Sequence, residues 1–403
     1  MVFPLSLGRN QAFLTAVGAL LVTAAITGCG DDSTGGGGSG GNPTTGGAGG
    51  GDTGGGGAGG GGASPIEVAE NEWTYVEFPN TQCMTGSTTG IGVNFTSTSK
   101  DVVIFLEGGN ACFNLVSCSA TAHKNGYSGD IFASEQPYND YADYFDRTKA
   151  TNPWKDYNYV YVPYCTGDVH AGDAHDVDVA GIVRQFQGFR NMGEFLKRIV
   201  ATFPDAEHVV LSGFSAGGFG AAYNYDQVAQ AFGPNVDVTL IDDSGPPMAS
   251  DFVAPCLQKH LYDLWGLGNT LPAGCTDCNN VDGTFTEEFM RYIIDTYPDA
   301  RLGLISSEDD KTISNFWGFG EMDCSQIEAA PLPYPAGKYK AGLEDLRDRV
   351  GAGSNFRLYM IPGNEHVWLD NGLDMVTIDG VKLEDWVGQG IAADPAWPNV
   401  SAP

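Results

Sequence analysis

Basic residues are scarce in this chain of 403 residues: 20 Lys and Arg stand against 50 Asp and Glu, a formal net charge of −30. That shortage argues against nucleic acid and anionic lipid headgroups as partners, because both are bound by cations that replace their counterions. Charged residues of either sign make up only 17 %, whereas 42 % are hydrophobic, a share that excludes wholesale disorder. A long hydrophobic stretch is missing too: the apolar run 12–25 is shorter than the about 20 residues a bilayer-spanning helix needs. Histidine is sparse at six, which narrows the choice of a base. Glycine is in excess at 57, too many for one compact domain, so a biased segment must hold the surplus.

That segment follows the apolar run. A single cation, Arg9, precedes the run, which ends in Ile26, Thr27, Gly28 and Cys29. The run has the length of a signal h-region, and its last four residues resemble a bacterial lipobox. The resemblance implies a signal peptide over 1–28, cleavage before Cys29 and lipidation of its thiol; plain secretion with cleavage nearby is the alternative. Gly30 and Asp31 do not look like an inner-membrane retention signal, so an outer-membrane or surface anchor in a bacterial envelope is expected. Residues 29–64 are almost only small or polar and bury too little to repay ordering. They predict a flexible tether with an r.m.s. reach of about 30–35 Å. With no strand before these glycines and no Lys among them, they are no phosphate cradle. The remainder, 65–403, is expected to be one globular domain. Without Arg9, Asp31, Asp32 and Asp52 it carries 47 acidic and 19 basic residues, close to −28.

Eight cysteines fall in that domain, and an even number in an exported chain suggests disulfides. Cys275 and Cys278 form a C-x-x-C that redox chemistry or zinc also uses, although no second C-x-x-C or His pair lies near. Apolar periodicity predicts strands at 101–107, 157–163, 207–211, 236–241, 301–306 and 356–361. It predicts helices at 181–202, 219–232, 287–297, 339–350 and 381–391. The alternation implies an α/β fold: a mostly parallel sheet with helices on both faces, and function beyond the carboxyl ends of its strands.

The chemistry-bearing signal is Gly213, Phe214, Ser215, Ala216, Gly217, a G-x-S-x-G between an expected strand and an expected helix. The glycines let the backbone turn sharply and leave Ser215 exposed at a helix N-terminus. A nucleophilic Ser needs a base, and the base needs an orienting acid. After Ser215 only His260 and His366 remain; His366 follows an expected strand, whereas His260 sits in a Cys- and Pro-rich stretch. Glu308, Asp309 and Asp310 stand just past the expected strand 301–306 and Asp243 ends the strand before it; the chain order Ser, Asp, His admits them, and Asp310 is favoured, with Asp309 close behind and Asp243 third. The oxyanion hole is expected from the N–H of Ala216 and from the loop Gly108, Gly109, Asn110, where glycines allow positive φ and close substrate approach.

These strings resemble the pectin acetylesterase (Notum-like serine carboxylesterase) family. The shared segments are FLEGGNAC at 105–112, VPYCTGDVH at 162–170, the SGFSAGG elbow, DSG at 243–245, SSEDD at 306–310 and PGNEH at 362–366. The resemblance implies an α/β-hydrolase-like fold, a carboxylic ester hydrolase with Ser215, His366 and Asp310 as its triad, and bridges Cys83–Cys165 and Cys112–Cys118. One departure stands out: the glycine run commonly ends in a third Gly followed by an aromatic, and here Asn110 and Ala111 take its place. No cofactor or metal is implied. The Asp and His residues at 168, 170, 173, 175, 176 and 178 read as an acidic loop before a cation site. The expected substrate is an acetylated polysaccharide, neutral or methyl-esterified because the acidic domain repels bare polygalacturonate, or a small ester. A lipid or acyl-protein esterase and a non-catalytic glycan-binding surface lipoprotein are the alternatives.

Overall fold

The computed structural model describes residues 63–403 apart from 281 and 371. The expected leader, Cys29 and nearly all of the tether lie outside the described residues. Eight strands form one sheet in the order β1-β2-β4-β3-β7-β8-β9-β10. They are β1 (Thr74–Phe78), β2 (Thr89–Asn94), β3 (Val102–Leu106), β4 (Asn158–Val162), β7 (His208–Phe214), β8 (Asp237–Asp243), β9 (Arg301–Ser307) and β10 (Phe356–Ile361). The pairs from β4 through β10 are parallel, while β1–β2 and β2–β4 are antiparallel. This is the α/β-hydrolase-like architecture expected.

The parallel strands are apolar on both faces. In β3, Val102, Ile104 and Leu106 join one core while Val103 and Phe105 join the other, as the period of two requires. On the first face lie the helices Gly188–Thr202, Ala216–Phe232 and Thr286–Thr296; on the second lie Gly129–Glu135 and Leu383–Ile391. Burial of each large apolar side chain contributes roughly 1.5–3 kcal/mol. The chain leaves β3 toward β4 on one side and returns to β7 on the other. The carboxyl ends of β3 and β7 therefore flank a topological switch point, where α/β sheets open a crevice.

Several elements differ from expectation. Residues 181–202 are not one helix. Ala174–Val179 (β5) and Ile182–Phe186 (β6) form an antiparallel hairpin through Ala180 and Gly181, both at positive φ, and the helix begins at Gly188. Ile182 and Val183 are exposed at 42 % and 55 %, so their apolar character served strand propensity rather than a buried helix face. The elbow helix starts at Ala216, three residues earlier than its apolar pattern, because glycines fill its first turn. The helix Lys338–Asp345 ends in a π-type turn, Leu346–Val350. Strands β1 and β2 and the helix Pro255–Trp265 were not expected, and His260 lies on that helix. Among the described residues no helix is long and apolar enough to cross a membrane.

All eight cysteines of the domain pair: Cys83–Cys165 and Cys112–Cys118, as the family resemblance implies, with Cys256–Cys324 and Cys275–Cys278. The C-x-x-C is thus closed on itself. Cys83–Cys165 spans 82 residues and Cys275–Cys278 only 3. Because a cross-link removes more freedom from the unfolded chain the longer its loop, Cys83→Ser/Cys165→Ser is expected to cost about 3–5 kcal/mol. Cys275→Ser/Cys278→Ser should cost far less. Urea unfolding of the two double variants checks this, and equal losses would contradict it.

Candidate active site

Strand β7 runs into Ser215, whose φ of 57° and ψ of −123° are a strained combination for a residue with a side chain, costing of order 1–3 kcal/mol. Three backbone bonds hold it. Ser215 N–H donates to Asp243 C=O (2.8 Å), and Ser215 C=O accepts from Gly218 N–H (3.0 Å) and Phe219 N–H (3.2 Å). The flanking glycines are steric requirements. A Cβ on Gly217 would stand 2.0 Å from the Leu106 carbonyl oxygen, and one on Gly213 would stand 2.3 Å from that of Gly217. Ala216 opens the helix Ala216–Phe232, so its N–H has no acceptor within the helix.

The loop after β3 lies against this elbow. Gly109 (φ 149°) and Asn110 (φ 68°) both take positive φ. Asparagine is the side chain that best tolerates that region after glycine, so Asn110 preserves the backbone a third glycine would adopt. Its Nδ2 donates to Ala120 C=O (2.7 Å). Ala122 N–H donates to Gly109 C=O (2.9 Å), Cys112 N–H to Gly167 C=O (2.7 Å) and Trp265 Nε1–H to Cys112 C=O (2.9 Å). Cys112–Cys118 closes the turn.

Beneath the loop sits a carboxylate not singled out from sequence. Glu107 is buried; its carboxylate accepts from Tyr164 N–H (2.8 Å) and pairs with His123 Nε2 (3.2 Å). Burial pushes its pKa up, but the charge and hydrogen bond of His123 and the Tyr164 N–H together hold it below the usual range. In His123 burial favours the neutral ring, and Glu107 outweighs it, so that pKa is raised. Glu107 C=O accepts from His170 Nε2 (2.9 Å). Burial drops the His170 pKa to about 4, so this ring is neutral with its proton on Nε2. The sequence signal for Glu107 was an acid directly after a buried strand.

Beyond β9 the run Glu308, Asp309, Asp310 separates by environment. Glu308 pairs with Lys340 (3.0 Å) and Asp309 is exposed. Asp310 is fully buried as the N-cap of the helix Lys311–Trp317. Its Oδ1 accepts from Thr312 N–H (2.9 Å) and Ile313 N–H (3.0 Å), and its Oδ2 accepts from His366 Nδ1 (2.7 Å). Backbone bonds from Glu308 to Ile361, Asp309 to Gly363 and Lys311 to Asn364 register the loop that carries His366. With Nδ1–H directed at the carboxylate, Nε2 is the proton-accepting nitrogen. It is buried without a hydrogen-bond partner, so it does not bond Ser215 in this state.

Ser215, Ala216 and Asn110 share the wall of a cavity of about 70 Å³, whose other walls include Phe113, Phe219, Leu257, Trp265, Phe316 and Trp317. Gly109 stands one residue before that wall. Asp243 does not reach the imidazole as its acid: its carboxylate bonds backbone N–H groups of the His366 loop. His260 is placed elsewhere, with Nε2 donating to Phe113 C=O (2.8 Å). In the 168–178 segment Asp168 and His170 are buried. Asp168 accepts from Thr166 Oγ1–H (2.5 Å) and Gly188 N–H (2.7 Å). Among the described residues no group of His, Cys, Asp or Glu is placed to hold a metal ion.

A model of the family described as Pectinacetylesterase matches residues 67–295, more than half of the chain. That span holds Gly109, Asn110, Ser215 and Ala216; Asp310 and His366 lie beyond it. The chain is 32 % identical over 162 residues to the palmitoleoyl-protein carboxylesterase NOTUM of Schmidtea mediterranea, covering 38 % of this chain and 30 % of the relative. With the human protein of that name it shares 28 % over 180 residues, 40 % of this chain and 34 % of the relative. With pectin acetylesterase 11 of Arabidopsis thaliana it shares 23 % over 266 residues, 60 % and 63 % of the two chains. The chain spans about a third of the length of the curated relatives it matches first.

The Glu107–His123 pair sets a pH window. The raised His123 pKa contributes stability that is full below about pH 6.5 and lost as pH rises through the folded value. The lowered Glu107 pKa contributes stability present above about pH 4.3 and lost as pH falls through its folded value. His123→Gln should therefore cost about 3–5 kcal/mol at pH 5.5 and clearly less at pH 8.5, measured by urea midpoints. An equal cost at both would contradict the pairing.

Proposed function

The chain belongs to the pectinacetylesterase family, and from that premise we propose that it is a serine carboxylic ester hydrolase acting through Ser215, His366 and Asp310. The observation that carries this reading is His366: its Nδ1 is fixed by a buried carboxylate, and its Nε2 is buried and unoccupied. An unpartnered buried nitrogen is unfavourable unless it has work to do. Catalytic hydrogen bonds in unliganded sites often tighten only around substrate.

Ser215 Oγ attacks the ester carbonyl as His366 Nε2 takes its proton, and Asp310 stabilises the imidazolium. The N–H of Ala216 and those of the Gly109–Asn110 loop receive the oxyanion, with the helix Ala216–Phe232 adding its positive end. The alcohol leaves with the proton from His366. Water then repeats the sequence on the acyl-enzyme and releases the acid. The chemistry so written needs no cofactor or metal.

The substrate proposed is an acetylated polysaccharide, neutral or methyl-esterified given the acidic domain, with a small ester as the simplest stand-in. A longer acyl chain, on a lipid or protein, is a second reading that one observation favours. The cavity beside Ser215 is walled by apolar rings and holds several times the about 10–15 Å³ that one water occupies, more than an acetyl methyl requires. The enzyme is proposed to work in a bacterial envelope, lipid-anchored at Cys29 through the tether 29–64. Four disulfides support an oxidising compartment.

Two experiments test this. Ser215→Ala should lose about 10⁵–10⁶ of kcat on p-nitrophenyl esters and all labelling by a fluorophosphonate. With wild type, acetate should turn over faster than octanoate, and acetylated xylan faster than demethylated acetylated pectin at low salt. Octanoate preference would favour the longer-chain reading, and no turnover with no labelling would favour the non-catalytic binding module. Separately, Cys29→Ser should move the protein from the membrane to the soluble fraction; an unchanged distribution would remove the anchor.

A further inference from the structure

The Asp310–His366 bond orients an imidazole ring but does not set how far its loop stands from the elbow. One residue touches both. Asp243, the last residue of β8, pairs in register with Phe214 on one side and Ile305 on the other. Its carbonyl accepts the Ser215 N–H (2.8 Å). Its Oδ2 accepts the N–H groups of Trp368 (2.6 Å) and Leu369 (2.8 Å), two and three residues after His366. Its Oδ1 accepts the Ser244 hydroxyl (2.9 Å), and the side chain is wholly buried.

We propose that Asp243 is a positioning residue that clamps the nucleophile elbow and the histidine loop at one separation, its main chain holding Ser215 and its carboxylate holding the segment behind His366. The proposal rests on the reading of Ser215 and His366 as nucleophile and base. A strained elbow and a loop with Val367 at φ 62° both need external fixation. A carboxylate supplies it well, because one oxygen accepts two N–H groups and charge-assisted bonds are about twice as strong as neutral ones. A shift of about 1 Å between nucleophile and base costs on the order of 10² in rate without a change in substrate contacts. None of the cavity walls includes Asp243. Its loss should therefore appear in kcat and in the reactivity of Ser215, not in KM.

The test compares Asp243→Ala and Asp243→Asn with wild type on one p-nitrophenyl ester and in the rate of fluorophosphonate labelling. The Ala variant removes every side-chain acceptor and should lose about 10²–10³ of kcat and of labelling rate. The Asn variant offers a neutral oxygen to Trp368 and Leu369 and its amide to Ser244. It should keep the fold and lose about tenfold, with KM within about threefold in both. If the Ala variant does not fold, the Asn variant decides. Folded variants with kcat within twofold of wild type overturn the proposal, as does a rise in KM that equals the fall in kcat. Wild type that labels at Ser215 while the variants label equally fast sinks the clamp alone. Wild type that does not label sinks the underlying reading instead.

Discussion

Backbone meets backbone where the end of β3 touches the Ser215 elbow, and no side chain fits between them. The Leu106 carbonyl occupies the space a Cβ of Gly217 would need, and Gly108 is hemmed in by the Phe214 carbonyl, 2.6 Å from where its Cβ would be. This contact makes the loop after β3 a neighbour of Ser215, so Asn110 and Ala216 line one cavity. It also explains why glycine recurs on both sides of the junction: the two chains could not otherwise approach. The strained φ of Ser215 is the cost of that approach, and the parallel ladder beneath absorbs it.

Around this junction the protein buries several carboxylates. Glu107, Asp168, Asp242, Asp243 and Asp310 are all buried at or beyond strand ends. Each accepts at least one backbone N–H: from Tyr164, from Gly172 and Gly188, from Gly245, from Trp368 and Leu369, and from Thr312 and Ile313. Loops thus find their acceptors in side chains where the sheet ladder has ended. Asp310 does this twice over, capping a helix with one oxygen and holding an imidazole with the other. Burial lifts Asp243 to about 6 even against three donors and the nearby His366. Desolvation and hydrogen bonding are closely matched here.

Local chemistry was legible in the sequence and long-range chemistry was not. A strand, a glycine-flanked Ser and a helix are written consecutively, so the elbow could be read directly. The strands β3, β7, β8, β9 and β10 were visible because both their faces are apolar. Pattern favours Asp310 over Asp309 only narrowly, because what separates the two is burial and a partner 56 residues away. Strand β6 reads as the start of the helix over 181–202 because Ile182, Val183 and Phe186 also match helical spacing over so short a span. Strands β1 and β2, rich in Thr, Gly and polar residues, gave no run to find. The clasp of Glu107 and His123 needed the loop after β3 to fold back.

Part of the apolar wall of the cavity comes from two excursions of the chain between strands. Leu257 and Trp265 belong to the connection between β8 and β9, and Phe316 and Trp317 to the one between β9 and β10, while the Cys256–Cys324 bridge fastens these two excursions together. The first excursion carries none of Ser215, His366 and Asp310, whereas the second also carries Asp310. A substitution at Leu257 therefore reshapes the cavity without touching the helix that Asp310 caps, whereas one at Phe316 or Trp317 falls on that helix itself.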